Sequence, residues 1–218
     1  MNPAIDLDDI WARPRGGPPL PALSGLSLQV QPGAYAGVVG PPGSGKSTLL
    51  GILALHRRPE AGEYRLHGTP TAALPPHRRS ELQRTVELVG SEPELVPHLT
   101  AVENVQLGMF LDRSDVAQRD RRAGALLAAV GLKDRGDVVA ARLSAAEHRL
   151  VALARALGPR PTVLLCDDPV GGLDDHGAEA VLDALDAVRT YQLTMVVATR
   201  RRELVRRADT VVTLRPPS

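Results

Sequence analysis

Apolar and polar positions alternate along Leu26-Ser27-Leu28-Gln29-Val30, the period of two that predicts a strand buried on one face. Gln31-Pro32-Gly33 reads as a turn. Residues 34–39 form an unbroken apolar run ending at Gly40, which predicts a buried strand. A glycine-rich loop follows over 40–45, and residues 47–56 carry a helical period that stops before Pro59. Residues 63–68 read as a strand and turn, whereas the polar, proline-rich residues 1–22 predict a strand edge and loop. From about 73 to 158 the pattern is mostly helical. Within it, Thr100 with Glu103 and Ser144 with Glu147 each fit a capping box, a hydroxyl N-cap followed three residues later by glutamate. The second opens the amphipathic run Leu150-Val151-Ala152-Leu153-Ala154-Arg155-Ala156-Leu157, closed by Gly158 and Pro159. Val163-Leu164-Leu165-Cys166 is another buried-strand run, ending in Asp167-Asp168. Residues 178–188 are helical in period, and 194–199 and 210–214 read as short strands. Strands that alternate with helices predict an α/β fold on a largely parallel sheet.

Composition narrows the class. The 218 residues allow one domain, or one domain with a subdomain. With 43% hydrophobic and 23% charged residues the chain is globular. A net charge of +1 gives no field that would favour nucleic acid. Cys166 is the only cysteine, which excludes an internal disulfide and a cysteine-based zinc site. The start of the chain lacks the apolar run of a secretory signal, and no stretch approaches the roughly 18 apolar residues of a membrane span. An intracellular protein is expected, with any membrane role played from the surface. Only Lys46 and Lys133 of the 26 basic residues are lysine, and Lys46 stands in the strongest motif of the chain.

That motif is Gly40-Pro41-Pro42-Gly43-Ser44-Gly45-Lys46-Ser47, followed by Thr48. It satisfies G-x-x-x-x-G-K-[ST] between an apolar strand and a helix, the context a phosphate loop requires. Glycines let successive amides face an anion, and the helix N-terminus adds donors and a favourable dipole. Lys46 supplies a point charge for the β and γ phosphates, and the Ser47 hydroxyl can ligate Mg2+. Asp167, at the carboxyl end of a strand, fits a metal-binding acid, although an Asp-Asp pair at a strand end also serves as a turn cap.

Two further segments resemble the ATPases of ABC transporters. Leu143-Ser144-Ala145-Ala146-Glu147-His148-Arg149, with the helix after it, is similar to their signature, L-S-G-G-E-Q followed by A-x-A-R-A-L. The run from Leu164 through Asp167, Asp168, Leu173 and Asp174 looks like their Walker B and D-loop. Pro59-Glu60-Ala61-Gly62 fits the P-x-x-G turn. Leu95-Val96-Pro97-His98-Leu99-Thr100-Ala101-Val102-Glu103-Asn104-Val105 resembles a stretch typical of the lipoprotein-release and macrolide-export branch. The resemblance spans about residues 7–214. It implies a P-loop NTPase with a RecA-like core at 1–72 and 159–218, a mostly parallel sheet, an antiparallel β subdomain and a helical subdomain inserted at about 73–158. The whole of 1–218 is then a single nucleotide-binding domain. It further implies ATP and Mg2+ as cofactors, and a second nucleotide-binding subunit as partner in a homodimer or heterodimer. An integral-membrane permease is implied at the cytoplasmic face of the plasma membrane, and no nucleic acid.

The departures from the family pattern bear on mechanism. Ala145 and Ala146 replace the signature glycines, and their methyl groups obstruct close backbone approach. Ser144 either contacts a partner-bound phosphate or serves as an N-cap. Asp168 stands at the catalytic glutamate position, one methylene shorter, and a displacement of about 1 Å can cost on the order of 10²-fold in rate. Arg200 replaces the switch histidine; it can grip a phosphate but cannot shuttle a proton, and it reads equally as a solvated charge beside Arg201 and Arg202. Ser91 replaces the Q-loop glutamine. Pro14 stands where the adenine-stacking aromatic is expected, with Trp11 three residues earlier as either a substitute or an edge-strand residue. The expectation is an ATP-binding transporter subunit whose hydrolysis is weak. The alternative is an ABC-type pseudo-ATPase acting as an ATP-gated dimerisation or regulatory module outside transport.

Overall fold

Ile5, Leu7, Ile10 and Ala12 are buried while Asp8 and Asp9 face solvent. This alternation, interrupted by register shifts after Leu7, makes residues Ile5–Ala12 the first strand, β1. The computed structural model describes residues 2–14, 22–110, 115–189 and 193–215, except for the side chains of Arg202 and Glu203. Residues 15–21, expected as loop, lie outside the described residues. The strand before them corrects the sequence reading: β1 is not an edge but an interior strand, hydrogen-bonded on both sides in an antiparallel sheet of order β2-β1-β4-β5. Here β2 is Leu23–Val30, β4 is Ala61–Leu66 and β5 is Thr69–Pro70.

The described residues pack as two compact units. The first comprises Met1–Leu88, Thr162–Asp168 and Gln192–Ser218. Besides the antiparallel sheet it holds a five-stranded sheet of order β6-β7-β8-β3-β9. Its members are β3 (Tyr35–Val39), β6 (Val86–Val89), β7 (Val163–Asp167), β8 (Thr194–Thr199) and β9 (Thr210–Thr213). β7, β8, β3 and β9 are parallel neighbours, with Val39 opposite Thr199 and Asp167 opposite Ala198. That register brings four strand carboxyl ends to one edge, where ligands of open α/β sheets are bound. β6 is a strand inside the stretch read as mostly helical; Glu87 interrupts its apolar run and hides it. Helix α1, Lys46–Leu53, buries Leu49, Leu50, Ile52 and Leu53 in one core with Ile5, Leu66, Leu165 and Val196. The buried Tyr64 hydroxyl donates to the Leu53 carbonyl at 3.0 Å, satisfying an end of that helix. Helix α2 is Pro76–Gln83.

The second unit, Val89–Pro161 and Pro169–Tyr191, is helical. It contains α3 (Ala101–Leu107), α4 (Val116–Ala129), α5 (Ala145–Leu157) and α6 (Asp175–Val188). Both expected capping boxes form, at Thr100 with Glu103 and at Ser144 with Glu147. Asn104 is fully buried. Its side chain accepts from the Val96 amide at 2.8 Å and donates to the Val96, Leu99 and Thr100 carbonyls. It thereby supplies hydrogen bonds that the non-helical segment before α3 cannot make for itself.

Candidate functional site

In the first unit, β3 ends at Val39 and the chain turns through residues 40–45 into α1. Gly45 has φ 90°, and a Cβ there would lie 2.4 Å from the Ala22 carbonyl oxygen. Only glycine meets both demands. Gly43, at φ 77°, has nothing within 4 Å of where its Cβ would stand, so the loop opens onto free space there. Ser44 is buried, and its hydroxyl has no hydrogen-bond partner. Helix α1 has no side-chain cap, so its first amides are not covered by a side chain of its own N-cap residue.

Lys46 Nζ donates to the carbonyls of Gly40 at 2.7 Å and Pro41 at 2.8 Å. Burial lowers the ammonium from its ordinary range, Asp167 and Asp168 pull it back up, and Arg200 adds to the lowering. A further anion at this place would relieve the cost of holding the cation. The Ser47 hydroxyl donates to Asp167 Oδ2 at 2.9 Å. A hydroxyl and a carboxylate oxygen in contact are a donor set that suits Mg2+, which takes one or two protein oxygens together with phosphate oxygens. Among the described residues no cluster of three or more histidine, cysteine or acidic side chains offers a self-sufficient metal cage.

Asp168 follows β7 at φ 44°. Its amide donates to Ala198 O at 2.7 Å, and its carboxylate accepts from the Thr199 hydroxyl at 3.0 Å and from Arg200 at 3.3 Å. Nearby Cys166 is buried, and its thiol is pushed up to about 12 by that burial, so it stays protonated and inert. On the antiparallel sheet Trp11 is 40% exposed and donates from Nε1 to Asp9 at 3.0 Å.

In the second unit, Ser144 caps α5. Its hydroxyl accepts from the Glu147 amide at 3.2 Å, and Glu147 accepts from the Ser144 amide at 2.8 Å. Glu147 also pairs with Arg135 at 2.7 Å. Partial burial raises the Glu147 carboxyl, but the Ser144 amide, Arg135 and the Ser144 hydroxyl outweigh it and hold the group below the usual range. Ala145 is exposed. Ala146 faces Gly177 of α6, where a Cβ would lie 3.1 Å from the alanine methyl. Asp174 caps α6 through the Gly177 amide at 2.8 Å, with Leu173 just before it. Ser91 is exposed, and its carbonyl accepts from Arg149, whose guanidinium also donates to Gly171 O at 2.6 Å.

The structure thus brings Gly40 through Thr48 together with Asp167, Asp168 and Arg200 in one unit. It brings Ser91 and Ser144 through Glu147 together with Leu173 and Asp174 in the other. Sequence reasoning missed Thr199, Arg149 and Arg135. Thr199 had a signal, since the parallel register sets the end of β8 beside that of β7; the two arginines had none.

A glycine loop between a parallel strand and a helix, with an acid ending a nearby strand, defines a P-loop nucleotide-binding fold. The sequence model of the ABC transporter family matches residues 23–171. The chain is 41% identical over 198 residues to lipoprotein-releasing system ATP-binding protein LolD 1 of Rhodospirillum rubrum, covering 90% of this chain and 88% of that protein. It is 36% identical over 195 residues to an uncharacterized ABC transporter ATP-binding protein of Methanocaldococcus jannaschii, covering 89% and 87%. The ATP-binding cassette MJ0796, solved as a dimer in a post-hydrolysis state with ADP and Pi, matches with a TM-score of 0.84 at 28% identity, over 96% of this chain and 94% of that one. The structure of cbiO1 from Clostridium perfringens, part of a cbiONQ transporter complex, has a TM-score of 0.89 over 98% of this chain and 85% of that one; its 22% identity carries the fold alone. The chain belongs to the ABC transporter family.

Proposed function

We propose that this chain is the ATP-binding subunit of an ABC transporter, a single nucleotide-binding domain over 1–218 that couples MgATP binding to an integral-membrane permease and hydrolyses ATP weakly. The observation that carries the reading is the loop itself. Space opens above Gly43, the Ser44 hydroxyl lacks a partner, and Lys46 is held on neutral carbonyls that a phosphate would replace. Gly40, Pro41, Pro42, Gly43, Ser44 and Gly45 form the cradle, with Lys46 as its charge and Thr48 in the helix turn behind it. Ser47 and Asp167 would hold Mg2+, which when bound neutralises charge on the phosphate oxygens.

The altered positions set the rate. Asp168 occupies the place of the base and Arg200 that of the switch residue. Ala145 and Ala146 follow Ser144 in the helix end offered to a second subunit's nucleotide, and Ser91 is too short for a glutamine's reach. Among the described residues no helix is long and apolar enough to cross a membrane. The subunit is read as lying against a permease at the cytoplasmic face and paired with a second nucleotide-binding subunit, a reading that rests on membership of the ABC transporter family. Membership of the family does not favour the reading as a module acting outside transport.

Calorimetric titration of MgATP tests the proposal. The expected trace is saturable heat followed by little sustained signal. No heat at all overturns the nucleotide reading. Sustained turnover by the isolated chain, lost in Lys46→Ala, overturns weak hydrolysis. Recovery of the chain with a membrane protein on mild detergent extraction is the expected result for coupling, and a wholly soluble assembly contradicts it.

A further inference from the structure

Asp168 is bound through both its backbone and its side chain to the end of β8 and the residue after it. Its backbone sits at a positive φ of 44°, a conformation that costs a non-glycine residue energy. The bond from its amide to Ala198 O, at 2.7 Å, fixes that conformation against β8. The side chain is then bound from the end of the same strand, Oδ1 by the Thr199 hydroxyl at 3.0 Å and Oδ2 by Arg200 at 3.3 Å. Thr199 is fully buried and its oxygen accepts from the Arg201 amide at 3.1 Å, so its single proton is directed to Asp168. The two members of the ion pair differ in freedom: the Asp168 side chain is 15% exposed, that of Arg200 58%. Arg200 is the member with room to leave. The amide of Gly40, the first residue of the phosphate loop, donates to the Thr199 carbonyl at 3.3 Å, so the pair stands at the end of β8 directly beside that loop.

We propose that Thr199 and Arg200 are positioning residues that hold Asp168 parked against the end of β8, and that the terminal phosphate of a bound nucleoside triphosphate releases it by taking Arg200 as its own partner. This rests on the reading of residues 40–48 as the MgATP site. A guanidinium prefers a phosphate that offers two oxygens and more charge to a carboxylate that offers one. A diphosphate ends short of that position and leaves Arg200 where it is. Once released, Asp168 can turn to a water. The water oxygen bonds to the γ-phosphorus as the bond from that phosphorus to the β–γ bridging oxygen breaks. The electron pair of the broken bond stays on ADP, and the water's proton passes to Asp168 and then to solvent, leaving inorganic phosphate. While Arg200 is shared between the two anions, Asp168 is available for only part of the time. The weak turnover expected of this chain then arises from a competition as well as from a short side chain.

The test compares wild type, Arg200→Ala, Arg200→Lys and the double variant Asp168→Asn/Arg200→Ala. Phosphate release gives kcat and KM, and titration gives the affinities for MgATP and MgADP. Arg200 lies on the surface, so its replacement leaves the core untouched. Arg200→Ala is expected to raise kcat about fivefold, the factor equivalent to the roughly 1 kcal/mol upper range of an exposed ion pair. It is also expected to raise KM and to reduce the preference for MgATP over MgADP. Arg200→Lys keeps the charge but loses the two-pronged grip, and is expected to fall between wild type and Arg200→Ala in kcat and KM; the gained turnover disappears in the double variant. A kcat in Arg200→Ala that is unchanged or lower overturns the proposal, as does a gain that survives Asp168→Asn. If wild type fails to bind MgATP, the nucleotide reading itself falls, and the proposal with it. Binding without the kcat response sinks the parked carboxylate alone.

Discussion

Replacing Lys46 by alanine isolates what the phosphate loop contributes to nucleotide affinity. In the protein the ammonium makes two bonds to neutral carbonyls, those of Gly40 and Pro41. A triphosphate exchanges them for bonds between opposite charges. Hydrogen bonds to charged groups contribute about 1.5–3 kcal/mol each, and those with both partners charged take the upper end. Exchanging two from the lower to the upper end gains about 3 kcal/mol, which is about two orders of magnitude in Kd. Lys46→Ala is therefore expected to weaken MgATP binding about hundredfold in a calorimetric titration. The same change is readable as stability. Nucleotide at about 100 times the wild-type Kd stabilises by about 2.7 kcal/mol, and by only about 0.4 kcal/mol once the Kd rises to match its concentration. The nucleotide-free protein is expected to lose at most about 3 kcal/mol, the two bonds from the ammonium to carbonyls at about 1.5 kcal/mol each, less the burial that the ammonium no longer bears. A Kd within about threefold of wild type would refute the exchange argument, since the ammonium would then not be transferred to the phosphates.

Three further outcomes follow from the geometry. Ser144→Ala removes the acceptor for the Glu147 amide and is expected to cost about 1 kcal/mol in urea unfolding, with Ser144→Asn close to wild type; equal losses in both would show that the hydroxyl is not acting as a cap. A methyl group at Gly177 would meet the Ala146 methyl at 3.1 Å and the capping oxygen of Asp174 at 2.9 Å. Gly177→Ala is therefore expected to destabilise by about 1 kcal/mol or more, and Ala146→Gly in the same chain to recover part of the loss, a non-additivity that a double-mutant cycle in urea would detect. His67, whose Nε2 lies 2.7 Å from Thr162 Oγ1, is lowered by burial. The folded state then binds fewer protons than the unfolded one. The stability contributed by neutral His67 is present above its ordinary value of 6.5 and falls away as pH drops below that value. Melting temperatures measured from pH 8 to pH 5.5 should thus fall more steeply for wild type than for His67→Gln, and parallel curves would remove the assignment.

How far the fold was legible depended on whether the signal was local. Residues 194–199 were expected as a strand and are β8 without adjustment, because every side chain in the run is buried and no face had to be chosen. The capping boxes were legible because each is defined by two residues three apart, whose side chains and amides bind reciprocally. β1 was not legible as an interior strand. Its alternation is broken by register shifts between Leu7 and Ile10, and it runs directly into proline-rich sequence. At the site, residues 40–48 were readable because a phosphate loop is one contiguous turn. Contacts made across the sheet were not. Asp168 meets Thr199 and Arg200, 31 and 32 residues away, only because β7 and β8 lie in a parallel register that no short window of sequence encodes. Ala146 looked like an obstruction when read against a family pattern. In the fold, its methyl group faces a glycine on the neighbouring helix.

Arg149 tethers two segments by their backbones. It donates to the carbonyl of Ser91, 58 positions away, and to that of Gly171, 22 positions away. A carbonyl is the one group every amino acid carries, so this clasp is indifferent to which side chains stand at 91 and 171. Exchanges at either position leave the tether intact as long as the main chain keeps its path, whereas a single change at 149 undoes both ends at once. The vulnerability of the three segments is thereby concentrated in one codon, whatever side chain stands at 91 or 171.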